Sequence, residues 1–219
     1  MDKHMFDNMK KFCLTLQTQI CSELSKRDTQ SFINDSWTRP EGGGGLTCIL
    51  ENGSFIERGG VNTSIIDSCI TTDSESEMFS TLLRHNKINV DASDLKGTPF
   101  SVTGISLVIH PLNPFVPTVH ANFRYFEMTL PNKKVWWFGG GADLTPYYLF
   151  EEDASHFHTC FKAACDTYSP TYYPDFKAYC DRYFYLPHRK ETRGIGGLFF
   201  DYMMAPDQET IFAFIKDFI

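Results

Sequence analysis

Ser106 to Glu127 reads SLVIHPLNPFVPTVHANFRYFE, and Val135 to Tyr148 reads VWWFGGGADLTPYY. At the two-residue period of a strand, His120, Asn122 and Arg124 project from one face, and Ala121, Phe123 and Tyr125 from the other. Upstream, Ser106, Val108 and His110 share one face while Ile105, Leu107 and Ile109 share the opposite one. Two strands with polar faces therefore frame a Pro-rich corner. The connection from Pro131 to Lys134 is short enough to fold the second strand back onto VWWF as a hairpin, so consecutive strands pair antiparallel.

Outward from these strands the pattern is helical. Met5, Met9, Phe12, Leu16, Ile20 and Leu24 recur every three or four residues, which predicts an amphipathic first helix whose stripe packs on the core. A helix from about Glu75 to His85 precedes the linker KGTPFSVTG. Glu151, Glu152 and Asp153 favour a helix N-terminus that runs on through HFHTCFKAAC, and another helix begins after Pro174. Glycines 42 to 45 are followed by the strand-like LTCIL and not by a GK[ST] helix start, so they read as close backbone approach and not as a phosphate cradle. Helix, then strands, then helices is the order of an α+β fold.

The 219 residues suffice for one sizeable core, and 42% hydrophobic with 15% aromatic residues indicates one globular domain spanning 1–219. A net charge of -7 argues against a nucleic-acid surface. No run approaches a membrane span, and the N-terminal segment lacks the apolar core of a signal peptide, so a soluble cytoplasmic protein is expected. Cysteines 13, 21, 48, 69, 160, 165 and 180 show neither CxxC nor zinc spacing and are read as free thiols.

Alternating polarity alone suits any half-solvated antiparallel strand. His, Asn and Arg on one face are nevertheless suited to a carboxylate-bearing ligand, because Arg supplies a planar fork. Trp136, Trp137 and Phe138 offer a flat apolar wall beside them, and Arg124, Arg189, Lys190 and Arg193 are candidates for a local basic cluster in an acidic chain. Arg189 and Arg193 are equally able to pair with Glu191, and RGIGG reads either as an anion-binding run of amides or as a strand-entry turn. Asp143, ahead of LTP, has a turn-capping reading. His156 and His158 diverge by roughly 200° on a helix and cannot chelate one ion together.

These segments, with Trp37 and EGGGG at 41–45, ERGGVNTS at 57–64 and HRKETRGIGGLFFD at 188–201, resemble the oxygen-dependent coproporphyrinogen III oxidases of haem biosynthesis over nearly the whole chain. The resemblance implies one large antiparallel sheet flanked by helices on both faces. It implies conversion of two propionates of coproporphyrinogen III to vinyl groups with O2 as co-substrate, giving protoporphyrinogen IX, CO2 and H2O2. It marks Ser106, Asn122 and Arg124 as substrate contacts, His120 as general acid or base, and Asp143 as an acceptor for pyrrole N–H groups. It implies a homodimer and no required cofactor, although His110, His120, His158 and His188 fall where bacterial members are credited with a divalent cation such as Mn.

Family members continue past the FFD motif into a region linked to dimerisation and a Tyr-Asp-Arg-Gly segment linked to substrate. The chain is therefore expected to be C-terminally incomplete, with Ile211, Phe214, Ile215 and Phe218 forming an uncovered helix stripe. Two other readings stand beside this one. A metal-dependent non-haem oxygenase would show chelator sensitivity, and a catalytically inactive tetrapyrrole-binding protein would bind without turnover.

Overall fold

Strands β1 (Ile33–Thr38), β2 (Gly44–Glu51), β3 (Ile56–Cys69), β4 (Pro99–Pro111), β5 (Thr118–Leu130), β6 (Lys133–Thr145) and β9 (Gly196–Met203) form a seven-stranded sheet in that order. Every pair in it is antiparallel, with short turns joining β1 to β2, β2 to β3, β4 to β5 and β5 to β6, and helices carried in the longer connections from β3 to β4 and from β6 to β9. The computed structural model describes residues 4–219. Around the sheet lie α1 (His4–Ser25), α2 (Asp73–His85), α3 (Glu151–Asp166), α4 (Tyr172–Tyr183) and α5 (Gln208–Phe218). A small hairpin of β7 (Tyr185–Leu186) and β8 (Glu191–Thr192) leads into β9. The fold is α+β with helices on both faces of the sheet, as expected.

The two faces bury different sequences. On one, Ile105, Ile109, Phe123, Tyr125, Phe138, Leu198 and Phe200 meet Met5, Phe6 and Met9 of α1, Phe161 of α3 and the stripe of α5. On the other, Phe126, Met128, Val135 and Trp137 are covered by Phe79 and Leu83 of α2. That helix covers one end of its face. Across the remainder, where the polar residues of β3 to β6 project, no helix among the described residues is laid, and α4 meets this face at its β9 edge, where Tyr179 and Tyr183 pack on Phe199.

Boundaries follow local chemistry. α2 starts two residues before the expected Glu75, because the Thr72 hydroxyl accepts the Glu75 N–H and the Glu75 carboxylate accepts the Thr72 N–H, a reciprocal cap. α4 starts at Tyr172 and takes Pro174 inside its first turn, where no intrahelical partner is needed for a proline nitrogen. The turn between β5 and β6 is Pro131-Asn132, which places Leu130 opposite Lys133.

Two expectations are corrected. The α5 stripe is not uncovered: Ile211, Phe214 and Ile215 are fully buried and Phe218 is 6% exposed, packed on Phe123, Phe161 and Phe200. Each contributes roughly 1.5–3 kcal/mol by burial. Trp136, Trp137 and Phe138 are not a ligand wall either. Trp137 stacks on Phe126 under α2, Phe138 is fully buried, and Trp136 packs against the core on the opposite face.

Candidate functional site

Register across the sheet aligns the polar residues into rows. Asn62 lies opposite Ser106, Ser106 opposite Asn122, and Asn122 opposite Gly141. One row along, Ser64, Gly104, Arg124 and Gly139 are aligned; on the other side Val108, His120, Asp143 and Gly197 are. Four adjacent strands at about 4.8 Å spacing make a trough roughly 14 Å wide. Two cavities occupy it, one of about 530 Å³ lined by His110, His120, Tyr147 and Arg193, the other of about 320 Å³ lined by Asn62, Ser106, Asn122 and Arg124.

At one end a buried carboxylate organises the site. Asp143 is 1% exposed and accepts both from His120 Nδ1, at 2.9 Å, and from Arg193, whose Nε reaches Oδ2 at 2.9 Å and whose Nη2 reaches Oδ1 at 2.8 Å and Oδ2 at 2.7 Å. The Arg193 guanidinium lies 3.8 Å from the centre of the Phe184 ring, which also stands edge-on to His120. A carboxylate held by a guanidinium is ionised and can only accept, so His120 carries a proton on Nδ1 and turns Nε2 away from Asp143. The turn-cap reading of Asp143 is set aside, since it sits inside β6. Both of its oxygens are engaged by the protein.

At the other end Arg124 donates from Nη1 to Asn122 Oδ1 at 2.8 Å and from Nη2 to Asp201 Oδ2 at 2.6 Å. The amide nitrogen of Asn122, the Ser106 hydroxyl and the other guanidinium N–H groups are donors, the inventory that a carboxylate demands. Asp201 reaches Arg124 through a register shift. Between Phe138 and Gly140, β6 has one residue while β9 has two, Asp201 and Tyr202, and Tyr202 takes the left-handed φ of 55°. Opposite them Gly139 leaves the room, since a Cβ there would stand 2.5 Å from Asp201 Oδ1 and 2.9 Å from Arg124 Nε. Burial first, and then the charge of Asp201, pushes the phenols of Tyr179 and Tyr202 up, so both remain protonated donors beside the pair. Burial likewise pushes the Cys180 thiol up to about 12, with Asp143 adding to it.

The family model for coproporphyrinogen III oxidase matches residues 8–219. The chain belongs to the coproporphyrinogen III oxidase family. It is 47% identical over 217 residues to the oxygen-dependent coproporphyrinogen-III oxidase of Drosophila melanogaster, covering 98% of this chain and 54% of that protein. It is 48% identical over 200 residues to the enzyme of that name from Prochlorococcus marinus, covering 91% of this chain and 52% of the relative. To the mitochondrial one of Homo sapiens it is 44% identical over 214 residues, or 97% of this chain and 46% of the relative. The chain thus spans about half the length of the curated relatives it matches. The word mitochondrial in some of their names removes kinship as support for a cytoplasmic location. Among the described residues no helix is long and apolar enough to cross a membrane.

Within this coproporphyrinogen oxidase sheet, Ser106, His120, Asn122, Arg124 and Asp143 are brought to one trough. The four histidines are not brought together as a ligand set. His158, on α3, donates from Nε2 to the Ile195 carbonyl at 2.9 Å and lies 3.2 Å from the Tyr173 hydroxyl through Nδ1; His188 is exposed on the β7–β8 turn; His110 faces Thr118 at 3.4 Å. Among the described residues no three His, Cys, Asp or Glu side chains stand where they could hold one ion. The residues present do not fit the cation that the resemblance allowed.

Sequence reading missed Asp201, and it named Arg193 only as a candidate for the basic cluster or as a partner of Glu191. Arg193 pairs with Asp143, fifty residues away, and not with Glu191, which holds Arg189 at 2.6 Å. Asp201 ends the apolar LFFD run, and its charge in a strand was the available signal. In RGIGG the Ile195 N–H goes to Leu144 and the Gly196 N–H to Arg193, with Gly194 and Gly196 at φ of 55° and 68°, the strand-entry turn and not an anion nest.

Proposed function

We propose that the trough binds coproporphyrinogen III and carries its O2-dependent oxidative decarboxylation to protoporphyrinogen IX. The observation that carries this is the alignment of Ser106, Asn122, Arg124 and His120 on one sheet face, in a chain that covers half of proteins named for that reaction. For each of two propionates, –CH2–CH2–COO⁻ with O2 and one proton gives –CH=CH2, CO2 and H2O2. One C–H and one C–C bond break: the C–C pair becomes the vinyl π bond as CO2 leaves, and the two electrons of the C–H bond, with its proton and the one taken up, reduce the dioxygen to H2O2. The tetrapyrrole is itself the electron-rich reductant, so the protein's part is position and electrostatics.

Arg124, steadied by Asn122 and Asp201, presents its remaining N–H groups to a propionate carboxylate. Ser106 and the Asn122 amide lie alongside in the same cavity. His120, fixed through Nδ1, offers Nε2 for the proton that leaves carbon or joins reduced oxygen. The reading extends to a single domain over 1–219, acting as a homodimer without a resident cofactor. Aerobic incubation with coproporphyrinogen III, with and without chelator and with an anaerobic control, tests it by chromatography of the oxidised porphyrins. Oxygen-dependent protoporphyrin formation that survives chelator is expected. Binding without turnover would leave an inactive tetrapyrrole binder, and loss on chelation reversed by one metal would turn the assignment to a metal-dependent oxygenase.

A further inference from the structure

From the geometry around Asp143 we infer that Arg193 is a positioning residue: it clamps the Asp143 carboxylate and thereby fixes the tautomer and aim of the His120 imidazole. The inference rests on the reading of His120 as the working group of the trough.

Asp143 is alone among the site residues in being almost fully enclosed while carrying a charge, at 1% exposure near the C-terminal end of β6. A buried carboxylate with a single hydrogen bond would be free to turn about its last torsion and would present either oxygen to its neighbour. Arg193 removes that freedom. Its Nε and Nη2 engage both oxygens in a fork, and Nη2 and His120 Nδ1 converge on the same Oδ1. With Oδ1 already accepting from the guanidinium, its remaining acceptor direction is set, and the imidazole must approach along it with a proton on Nδ1.

Arg193 is itself held on two further sides. Its guanidinium stacks on Phe184 at 3.8 Å, and its backbone N–H donates to the Phe184 carbonyl at 3.2 Å. Phe184 in turn stands edge-on to His120 with ring centres 6.0 Å apart. The same aromatic ring therefore backs both the clamp and the imidazole, and the short β7–β8 hairpin joins Phe184 to Arg193. The fork is joined by a histidine that shares Oδ1 with it and lines the cavity.

The test is nitrogen NMR of the 219-residue chain labelled with 15N-histidine, at about pH 8.5, above the ordinary imidazole range, with His120 assigned by its loss in His120→Gln. In the wild type the two-bond correlation pattern should be that of the Nδ1–H tautomer. Arg193→Met keeps the apolar stem and removes the fork, and should give an averaged pattern of both tautomers. Arg193→Lys, which restores charge without the fork, should fall between. Phe184→Leu, which leaves every charge in place and only loosens the stack, guards against a Met variant that fails to fold and should shift the pattern part of the way. A wild-type His120 pattern in folded Arg193→Met, or in both other variants where the Met form does not fold, overturns the inference, even if melting temperatures drop. Turnover of coproporphyrinogen III by the same preparations is a separate readout: kcat should fall by on the order of 10-fold or more in Arg193→Met with KM little changed. A wild type without turnover removes the functional reading and leaves the nitrogen pattern to decide the clamp.

Discussion

Arg124 shows what a single residue type adds. Its two terminal nitrogens reach Asn122 at 2.8 Å and Asp201 at 2.6 Å in different directions, and a lysine ammonium cannot span both. Arg124→Lys should therefore leave Asp201, 16% exposed, poorly paired and should weaken transition-state binding by about 1–3 kcal/mol. The measurement is kcat/KM together with a thermal melt, and unchanged efficiency in a folded Lys variant would reduce Arg124 to a local structural charge. At this scale the sequence was half legible. The two-residue period placed His120, Asn122 and Arg124 on one face because the strand dictates it. It was silent on the pairings of Arg193 and Asp201, whose partners lie 50 and 77 residues away and meet only through the β6–β9 pairing and a one-residue bulge.

Among elements, α2 is the one that closes its end of the trough-bearing face, and its start depends on one half-buried carboxylate. The backbone N–H of Thr71, then that of Thr72, with the Thr71 hydroxyl, hold the Glu75 carboxyl down at about 2. Its folded pKa is thus below the unfolded value of about 4.3, so this contribution to stability is complete above that range and is lost as pH falls toward 2. The protection of the first-turn amides of α2, taken relative to their intrinsic exchange at each pH, should fall over that acid window, and Glu75→Gln should make that protection insensitive to it. Equal acid sensitivity in the Gln variant would show that another group governs the cap. The helix itself was legible from its apolar spacing, but its first residue was not. Thr72 and Glu75 define the start only once their reciprocal bonds are seen. The α5 stripe was legible as a helix face, whereas its cover was not, since Phe123, Phe161 and Phe200 come from three separate elements.

For the molecule as a whole, the seven cysteines report on whether one cooperative unit forms. Cys13 lies in α1, Cys48 in β2, Cys165 in α3 and Cys180 in α4, all buried, while Cys69 and Cys160 are exposed and Cys21 is half-buried. Burial pushes the thiols of Cys13, Cys165 and Cys180 up to about 12, so near neutral pH they are both hidden and protonated. The helices that carry them pack on one sheet, and α1, α3 and α5 share a single apolar cluster on its first face. A thiol reagent in native buffer should therefore modify Cys69 and Cys160 quickly. Cys13, Cys165 and Cys180 should follow only through global opening, with one shared opening free energy that falls along the same line as denaturant is raised. Peptide mapping of the labelled sites against time gives the rates residue by residue. Separate opening free energies for Cys13 and Cys180 would mean that α1 and the α4 edge unfold independently, and the single-domain reading of residues 1–219 would fall with them.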